Sequence, residues 1–183
     1  MSVHRIETEI PDLVLLEVTA HGDQRGFLAE TFREDVWAGH GVNGPFVQEN
    51  HSRSGGGILR GLHFQLRPGQ AKLVRCARGT IWDAAVDLRR ESPTYRRWEG
   101  AELSDSNHRQ LFIPAGFAHG FCVLSEEADV NYKLSSYYDS ETEAGIRWDD
   151  PDLAVGWPIQ HPQLSDRDKL APTLAEIADE LPF

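Results

Sequence analysis

The chain has 183 residues, of which 40% are hydrophobic and 26% charged, so its length and composition predict a single domain over residues 1–183. A formal net charge of −11 without any block of basic residues argues against nucleic-acid binding, which needs a basic surface. No apolar run has the length of a membrane span and the first residues do not resemble a secretion signal, so we expect no membrane partner.

Short segments with strand character follow one another along the chain, separated by turns rich in glycine and proline. They cover residues 6–10, 13–19, 26–32, 46–51, 57–65, 72–77, 81–88, 97–103, 110–113, 121–124 and 129–135. Residues 21–26 are predicted to form a turn, and residues 33–40 one or two helical turns. This succession predicts an all-β sandwich or barrel of antiparallel strands.

The C-terminal end has helical signals instead. Ser165 with Asp168, and Thr173 with Glu176, match the capping-box pattern at the start of a helix. An apolar stripe follows the second of these patterns. We therefore predict short C-terminal helices after the β domain.

The two cysteines give a hint about location. Cys76 and Cys122 each lie in an apolar strand-like run, and neither belongs to a CxxC motif or a His/Cys cluster. We interpret them as reduced core residues. Reduced cysteines are typical of the cytoplasm, so a cytoplasmic location is expected.

The stretch 57–65 (GILRGLHFQ) places two cationic side chains in a strand. Regular alternation would send Arg60 and His63 to opposite faces of that strand. Gly61 lies between them, and a glycine inside a strand often marks a bulge that re-aims the following side chains. We predict a bulge at Gly61 that directs Arg60 and His63 into one cavity. The alternative is a regular strand with two partly exposed polar groups.

A second motif lies at residues 114–121 (PAGFAHGF), where a proline–glycine turn delivers His119 to the start of a strand. This P-x-G-x-x-H arrangement resembles the second motif of the cupins, whose fold is a small jelly-roll barrel. Metal-binding cupins have H-x-H and then a glutamate in the first motif, where this chain has His63, Phe64, Gln65 and Lys72. An ammonium group repels a metal ion, so we predict a cavity without metal or other cofactor.

Several motifs together resemble one family within the cupins. They are RGLHFQ, QAKLVR, the segment 79–88, LFIPAGFAHGF, YYDSETEAGIRWDDP and LSDRD, in order from about residue 10 to about residue 169. This set is similar to the dTDP-4-dehydrorhamnose 3,5-epimerases. The resemblance implies a jelly-roll epimerase, a homodimer, and a substrate with a sugar ketone linked through pyrophosphate to thymidine.

Inversion of a centre beside a ketone needs a base, a group that stabilises the enolate oxygen, and an acid on the opposite ring face. His63 is the best candidate base, because imidazole titrates near neutral pH. The resemblance implies that Asp168 is its carboxylate partner; the alternative is a helix cap behind Ser165, and the two roles do not exclude each other. Lys72, with His119 nearby, suits the enolate oxygen, unless it is a solvated strand lysine. Tyr132 matches the proton donor of the family, whereas an isolated tyrosine in this strand is more often an ordinary core residue.

The resemblance also implies a binding set, whose members would each be ordinary surface residues in isolation. Arg60 and Arg167 match pyrophosphate contacts, since a guanidinium group suits such an anion. Tyr138 matches the aromatic residue that stacks on thymine. The positions matched to nucleotide contacts are Arg25, Glu30, Gln48, Asn50 and Glu143.

Three alternatives remain at this level. A relative that inverts only the 3-position would carry the same residues for proton abstraction. A catalytically silent cupin that binds a nucleotide sugar is disfavoured, because base, partner, stabiliser and acid are all present. A metal-dependent cupin oxygenase or isomerase lacks the ligands.

Overall fold

Two antiparallel sheets form the body of the protein, as predicted. A computed structural model describes residues 2–183. The first sheet has six strands, in the order β1 (Val3–Ile6), β2 (Val14–Val18), β10 (Arg109–Ile113), β7 (Lys72–Arg78), β12 (Glu127–Leu134) and β5 (Gln48–Gly55). The second has five, in the order β13 (Glu143–Gly145), β6 (Leu59–Gln65), β11 (Phe117–Val123), β8 (Thr80–Asp87) and β9 (Trp98–Ser104). A separate hairpin joins β3 (His21–Asp23) to β4 (Gly26–Leu28).

The two sheets share a hydrophobic core. Val74 and Val130 of the first sheet pack in one cluster with Phe117, Phe121 and Ile81 of the second. All five are almost fully buried, and each such side chain contributes about 1.5–3 kcal/mol relative to its exposed state. Alternation along the strands, which the sequence predicts, thus turns one face of each sheet towards the other.

The first and third predicted strands are partly wrong. The strand predicted over 6–10 is Val3–Ile6 instead, because the Glu99 carboxylate accepts hydrogen bonds from the backbone amides of Glu9 and Ile10 at 3.0 and 2.9 Å. The strand predicted over 26–32 ends at Leu28, and the turn predicted over 21–26 contains β3. The chain then leaves the hairpin, and Phe32 packs edge-on against Phe46 with 5.5 Å between ring centroids.

The predicted bulge at Gly61 is confirmed. His63 pairs with His119 and Arg60 with Phe121, so the β6–β11 register shifts by one residue across Gly61. Gly61 has φ +133°, and a Cβ there would lie 2.5 Å from the Cα of Gly120. Only glycine tolerates this conformation together with so close an approach of two strands.

Helices are short and lie mainly at the C-terminal end. They are α1 (Glu34–Gly39), α2 (Asp166–Lys169), α3 (Leu174–Ile177) and a 3₁₀ turn at Ala178–Glu180. Thr173 and Glu176 form the complete predicted capping box. At α2 the Ser165 hydroxyl accepts the Asp168 amide at 3.1 Å, while the Asp168 carboxylate has another partner, described below. No helix among residues 2–183 is long and apolar enough to cross a membrane.

Candidate active site

A cavity of about 330 Å³ opens between the two sheets. Strands β5, β7 and β12 contribute its lining from one sheet, and β6, β11 and β13 from the other. Most of the predicted site residues line it: Gln48, Asn50, Arg60, His63, Lys72, His119, Tyr132, Tyr138 and Glu143. A neighbouring cavity of about 420 Å³ shares Arg60 and His63 with it and adds Arg167 and Asp168. The bulge therefore brings Arg60 and His63 together as predicted.

His63 and Asp168 form a partly buried pair. The His63 Nε2 lies 2.6 Å from the Asp168 Oδ1, and the two side chains are 28% and 5% exposed. Burial alone would raise the pKa of Asp168, but the hydrogen bonds from His63 and Ser165 outweigh it and lower that pKa below its ordinary value. An ionised Asp168 accepts the Nε2 hydrogen, which leaves Nδ1 of His63 as the nitrogen able to take a proton.

A second His–Asp pair, which the sequence analysis missed, borders the cavity through His119. The His119 Nε2 lies 2.8 Å from the Oδ2 of Asp83, whose side chain is completely buried. Burial raises the pKa of Asp83, against the opposing effects of His119 and Lys72. An aspartate inside the apolar run 81–86 (IWDAAV) was the signal that this strand buries a carboxylate, which then needs a partner.

Lys72 begins β7 and is 7% exposed, so the structure excludes the interpretation as a solvated strand lysine. Desolvation lowers the pKa of Lys72 to about 8, although Glu143 and Asp83 act in the opposite direction. The side chain therefore brings a positive charge into the cavity near neutral pH. Such a charge can stabilise an oxyanion that develops there.

Tyr132 stands across the cavity from His63. It lies on β12 of the six-stranded sheet, whereas His63 lies on β6 of the five-stranded sheet. Tyr132 also packs against the main core, which agrees in part with the interpretation as a core residue, and its role as proton donor stays a prediction. The candidate base and the candidate acid thus enter the cavity from opposite sheets.

The predicted binding residues at the mouth contact one another. The Tyr138 hydroxyl donates to Glu143 at 2.8 Å, and Arg167 forms a salt bridge with the same carboxylate. The Gln48 amide donates to Asn50 at 2.9 Å, so these two side chains lie on the same face of β5. These hydrogen bonds order the mouth of the cavity.

Arg25 and Glu30 are the two predicted binding residues that do not line either cavity within one chain. Arg25 forms a salt bridge with Asp23 at the tip of the β3–β4 hairpin, and its side chain is 89% exposed. Glu30 lies 3.7 Å from Arg33. Their role in binding stays a prediction, since neither residue lies at a cavity of this chain.

The cavity also contains residues that the sequence analysis did not assign to binding, among them Ser52, Gln65 and Gln70. Gln65 lies two residues after His63 and therefore on the same face of β6. This spacing could have identified Gln65 as a cavity residue. Among residues 2–183, no three His, Cys, Asp or Glu side chains form a group that could hold a metal ion. The absence of a metal requirement stays a prediction.

Comparison with known proteins places this geometry in context. The family model described as dTDP-4-dehydrorhamnose 3,5-epimerase matches residues 7–176. The dTDP-4-dehydrorhamnose 3,5-epimerase of Shigella flexneri is 52% identical over 165 residues, which cover 89% of this chain and 91% of the relative. A dTDP-4-dehydrorhamnose 3-epimerase of Streptomyces niveus is 44% identical over 160 residues, which cover 86% of this chain and 77% of the relative.

A solved structure agrees with these sequence matches. The dTDP-6-deoxy-D-glucose-3,5-epimerase of Legionella pneumophila, in complex with dTDP-4-keto-L-rhamnose, superposes with a TM-score of 0.95 at 45% identity, covering 98% of this chain and 97% of that chain. This match confirms the predicted fold class, a cupin-type barrel of antiparallel strands with short C-terminal helices. The chain therefore belongs to the dTDP-4-dehydrorhamnose 3,5-epimerase family.

Proposed function

We propose that this chain is an isomerase that inverts the 3- and 5-positions of dTDP-4-dehydro-6-deoxy-D-glucose without a cofactor and yields dTDP-4-dehydro-L-rhamnose. The observation that carries the proposal is the placement of His63, which pairs with Asp168, and of Tyr132 on opposite sheets around one cavity. An inverting epimerase needs a base and an acid on opposite faces of the sugar ring. This arrangement meets that requirement.

At each of the two carbons, one proton is removed from one face of the sugar ring and one is added to the opposite face. Nδ1 of His63 takes the proton from the carbon beside the ketone, and the electrons of the C–H bond move to the ketone oxygen as an enolate. The Lys72 ammonium stabilises this oxygen, with the His119–Asp83 pair beside it. The Tyr132 hydroxyl then returns a proton to the opposite face of the carbon, and the ketone re-forms.

The binding residues fit the other parts of the substrate. Arg60 and Arg167 supply guanidinium groups to the cavity that borders His63, where they suit a pyrophosphate. Gln48, Asn50 and Glu143 line the mouth of the main cavity and suit the polar edges of the nucleotide. Tyr138, which is 49% exposed beside them, offers its ring to the thymine.

The alternatives are separated by one assay. The purified protein is incubated with dTDP-4-dehydro-6-deoxy-D-glucose in deuterated water, and NMR measures label and configuration at each ring carbon. We expect deuterium and inversion at both the 3- and 5-positions, unchanged after dialysis against a strong chelator. Label at the 3-position alone would show a 3-epimerase like the Streptomyces niveus relative. No label would indicate a silent binding protein, and a loss that added metal restores would indicate a metal enzyme.

We further propose a cytoplasmic homodimer in which the β3–β4 hairpin completes the partner's site. The hairpin exposes Phe27 and Leu28 by 63% and 65%, which suits a protein contact. It also carries Arg25, and Glu30 follows it, so docking on a partner would take both matched residues to a nucleotide. Cys76 and Cys122 are free and buried, in keeping with a reducing compartment.

Mixed dimers test the shared site. Arg25→Ala and His63→Ala chains are each expected to have low activity at limiting substrate. When they are mixed and allowed to exchange subunits, one of the two sites in a mixed dimer has both native residues, so activity should rise above that of either parent. Sedimentation should give twice the mass of one chain. No rise on mixing, in a dimer shown to exchange, would mean that Arg25 does not act across subunits.

A further inference from the structure

The loop that carries Tyr138 is fastened to the cavity by glutamine side chains. This loop, residues 135–142, connects β12 to β13 and contains no helix or strand. Tyr138 itself is half exposed, and the neighbouring Tyr137 is 73% exposed. A loop of this kind holds a ring in one position only if other contacts restrain it.

Gln65 restrains the second half of the loop. Its side chain is 3% exposed and both ends of its amide are used. The amide nitrogen donates to the Asp139 carbonyl at 2.9 Å, and the amide oxygen accepts from the Thr142 hydroxyl at 2.6 Å. The position where metal-binding cupins have a ligand is thus occupied by a side chain that bridges two points of the loop.

Gln70 and Gln48 restrain the first half. The Gln70 side chain is 6% exposed and donates to the Ser136 carbonyl at 3.0 Å. The Gln48 side-chain oxygen accepts the backbone amide of Tyr138 at 2.9 Å. Tyr138 therefore lies between an anchor at Ser136 and another at Asp139.

We propose that Gln65 and Gln70 are positioning residues for Tyr138, which set its ring for the nucleotide base and take no part in proton transfer. The inference rests on the proposed function, because that function supplies the thymine. Removal of either glutamine amide leaves a backbone carbonyl of the loop without its hydrogen-bond donor. The loop should then lose its fixed position. Nucleotide affinity should then fall while the chemistry of the sugar is preserved.

Gln65→Met keeps the volume of the side chain and removes its amide. In the ligand-free protein, hydrogen exchange at the amides of residues 137–142 should become faster than in the wild type. Calorimetry should show that Kd for dTDP rises about tenfold, as expected for the loss of two hydrogen bonds. At saturating substrate, kcat should stay within about twofold of the wild-type value, so that the defect lies in KM. Gln70→Met should act in the same direction.

Two controls separate positioning from general destabilisation. Thr94→Val deletes another buried hydrogen bond, 2.6 Å to Asp87 and outside both cavities, and should lower Tm without changing the dTDP affinity. In a Tyr138→Ala background, Gln65→Met should have almost no further effect on Kd, because there is no ring left to position.

The outcomes also distinguish the two proposals. A wild-type protein that does not bind dTDP would contradict the proposed function. If the wild type binds dTDP, three results would overturn the positioning role. The first is an unchanged Kd in Gln65→Met, and the second is additive effects of Gln65→Met and Tyr138→Ala on Kd. The third is a loss in kcat as large as the rise in Kd.

Discussion

The Tyr132→Phe variant is expected to return substrate that carries deuterium but is not inverted. The variant keeps His63, Asp168 and Lys72, so the enolate still forms and its proton exchanges with the solvent. Without the hydroxyl, the opposite ring face has no positioned donor. Inverted product should fall by roughly 10²- to 10⁴-fold, the usual contribution of a positioned acid. NMR of the recovered sugar in deuterated water measures both quantities.

The His63→Ala variant should differ in kind. Since no base removes the first proton, neither carbon beside the ketone should take up deuterium, and the product should be absent as well. The two variants therefore serve as controls for one another. Equal loss of exchange and inversion in Tyr132→Phe, or full inversion, would show that Tyr132 is not the acid. The donor would then be His119, Lys72 or a bound water.

The Asp168→Asn variant should lose activity by a similar factor of roughly 10²- to 10⁴-fold. An asparagine amide can donate to Nε2 of His63, and this favours the tautomer with hydrogen on Nδ1. That nitrogen then has no lone pair with which to take the substrate proton. In the wild type, the Asp168 carboxylate lies 2.6 Å from Nε2 and stabilises the imidazolium that forms. The neutral asparagine cannot supply this ionic interaction. Turnover and Tm are measured on the same preparation.

Ser165→Ala is the matched control, because it removes the helix cap but keeps the carboxylate. The Ser165 hydroxyl accepts the Asp168 backbone amide at 3.1 Å, and loss of such a cap costs about 1 kcal/mol of stability. This variant should melt at a lower temperature with turnover close to normal. If Asp168→Asn behaves in the same way as Ser165→Ala, then Asp168 acts as a cap residue only.

The bulge at Gly61 shows what local pattern can predict. Alternation placed Arg60 and His63 on opposite faces, and the glycine between them supplied the means to resolve that conflict. The structure has the shift at this residue, because the Gly120 backbone approaches too closely for any side chain. Strand spacing, the capping box at Thr173 and the two cysteines of the core follow from similarly local rules.

The main site residues were identified from short sequence motifs that resemble those of the family. His63, Lys72 and Tyr132 were predicted as a set, and the structure places them around one cavity. Their roles in proton transfer stay predictions. Asp168 was predicted as the partner of His63 although 105 residues separate them, because a family motif carries information on distant contacts that periodicity does not.

Only the tertiary structure decided the rest. The Asp83–His119 pair and the hydrogen bonds from Gln65 to the Tyr138 loop depend on which strands become neighbours. The alternation of side chains along one strand does not indicate which strand lies beside it. The same reason explains the misplaced strand at residues 6–10, since its backbone amides bind Glu99, about 90 residues away. Arg25 has the right identity for an anion contact, but the structure places it exposed on the β3–β4 hairpin and outside both cavities, which its identity alone could not predict.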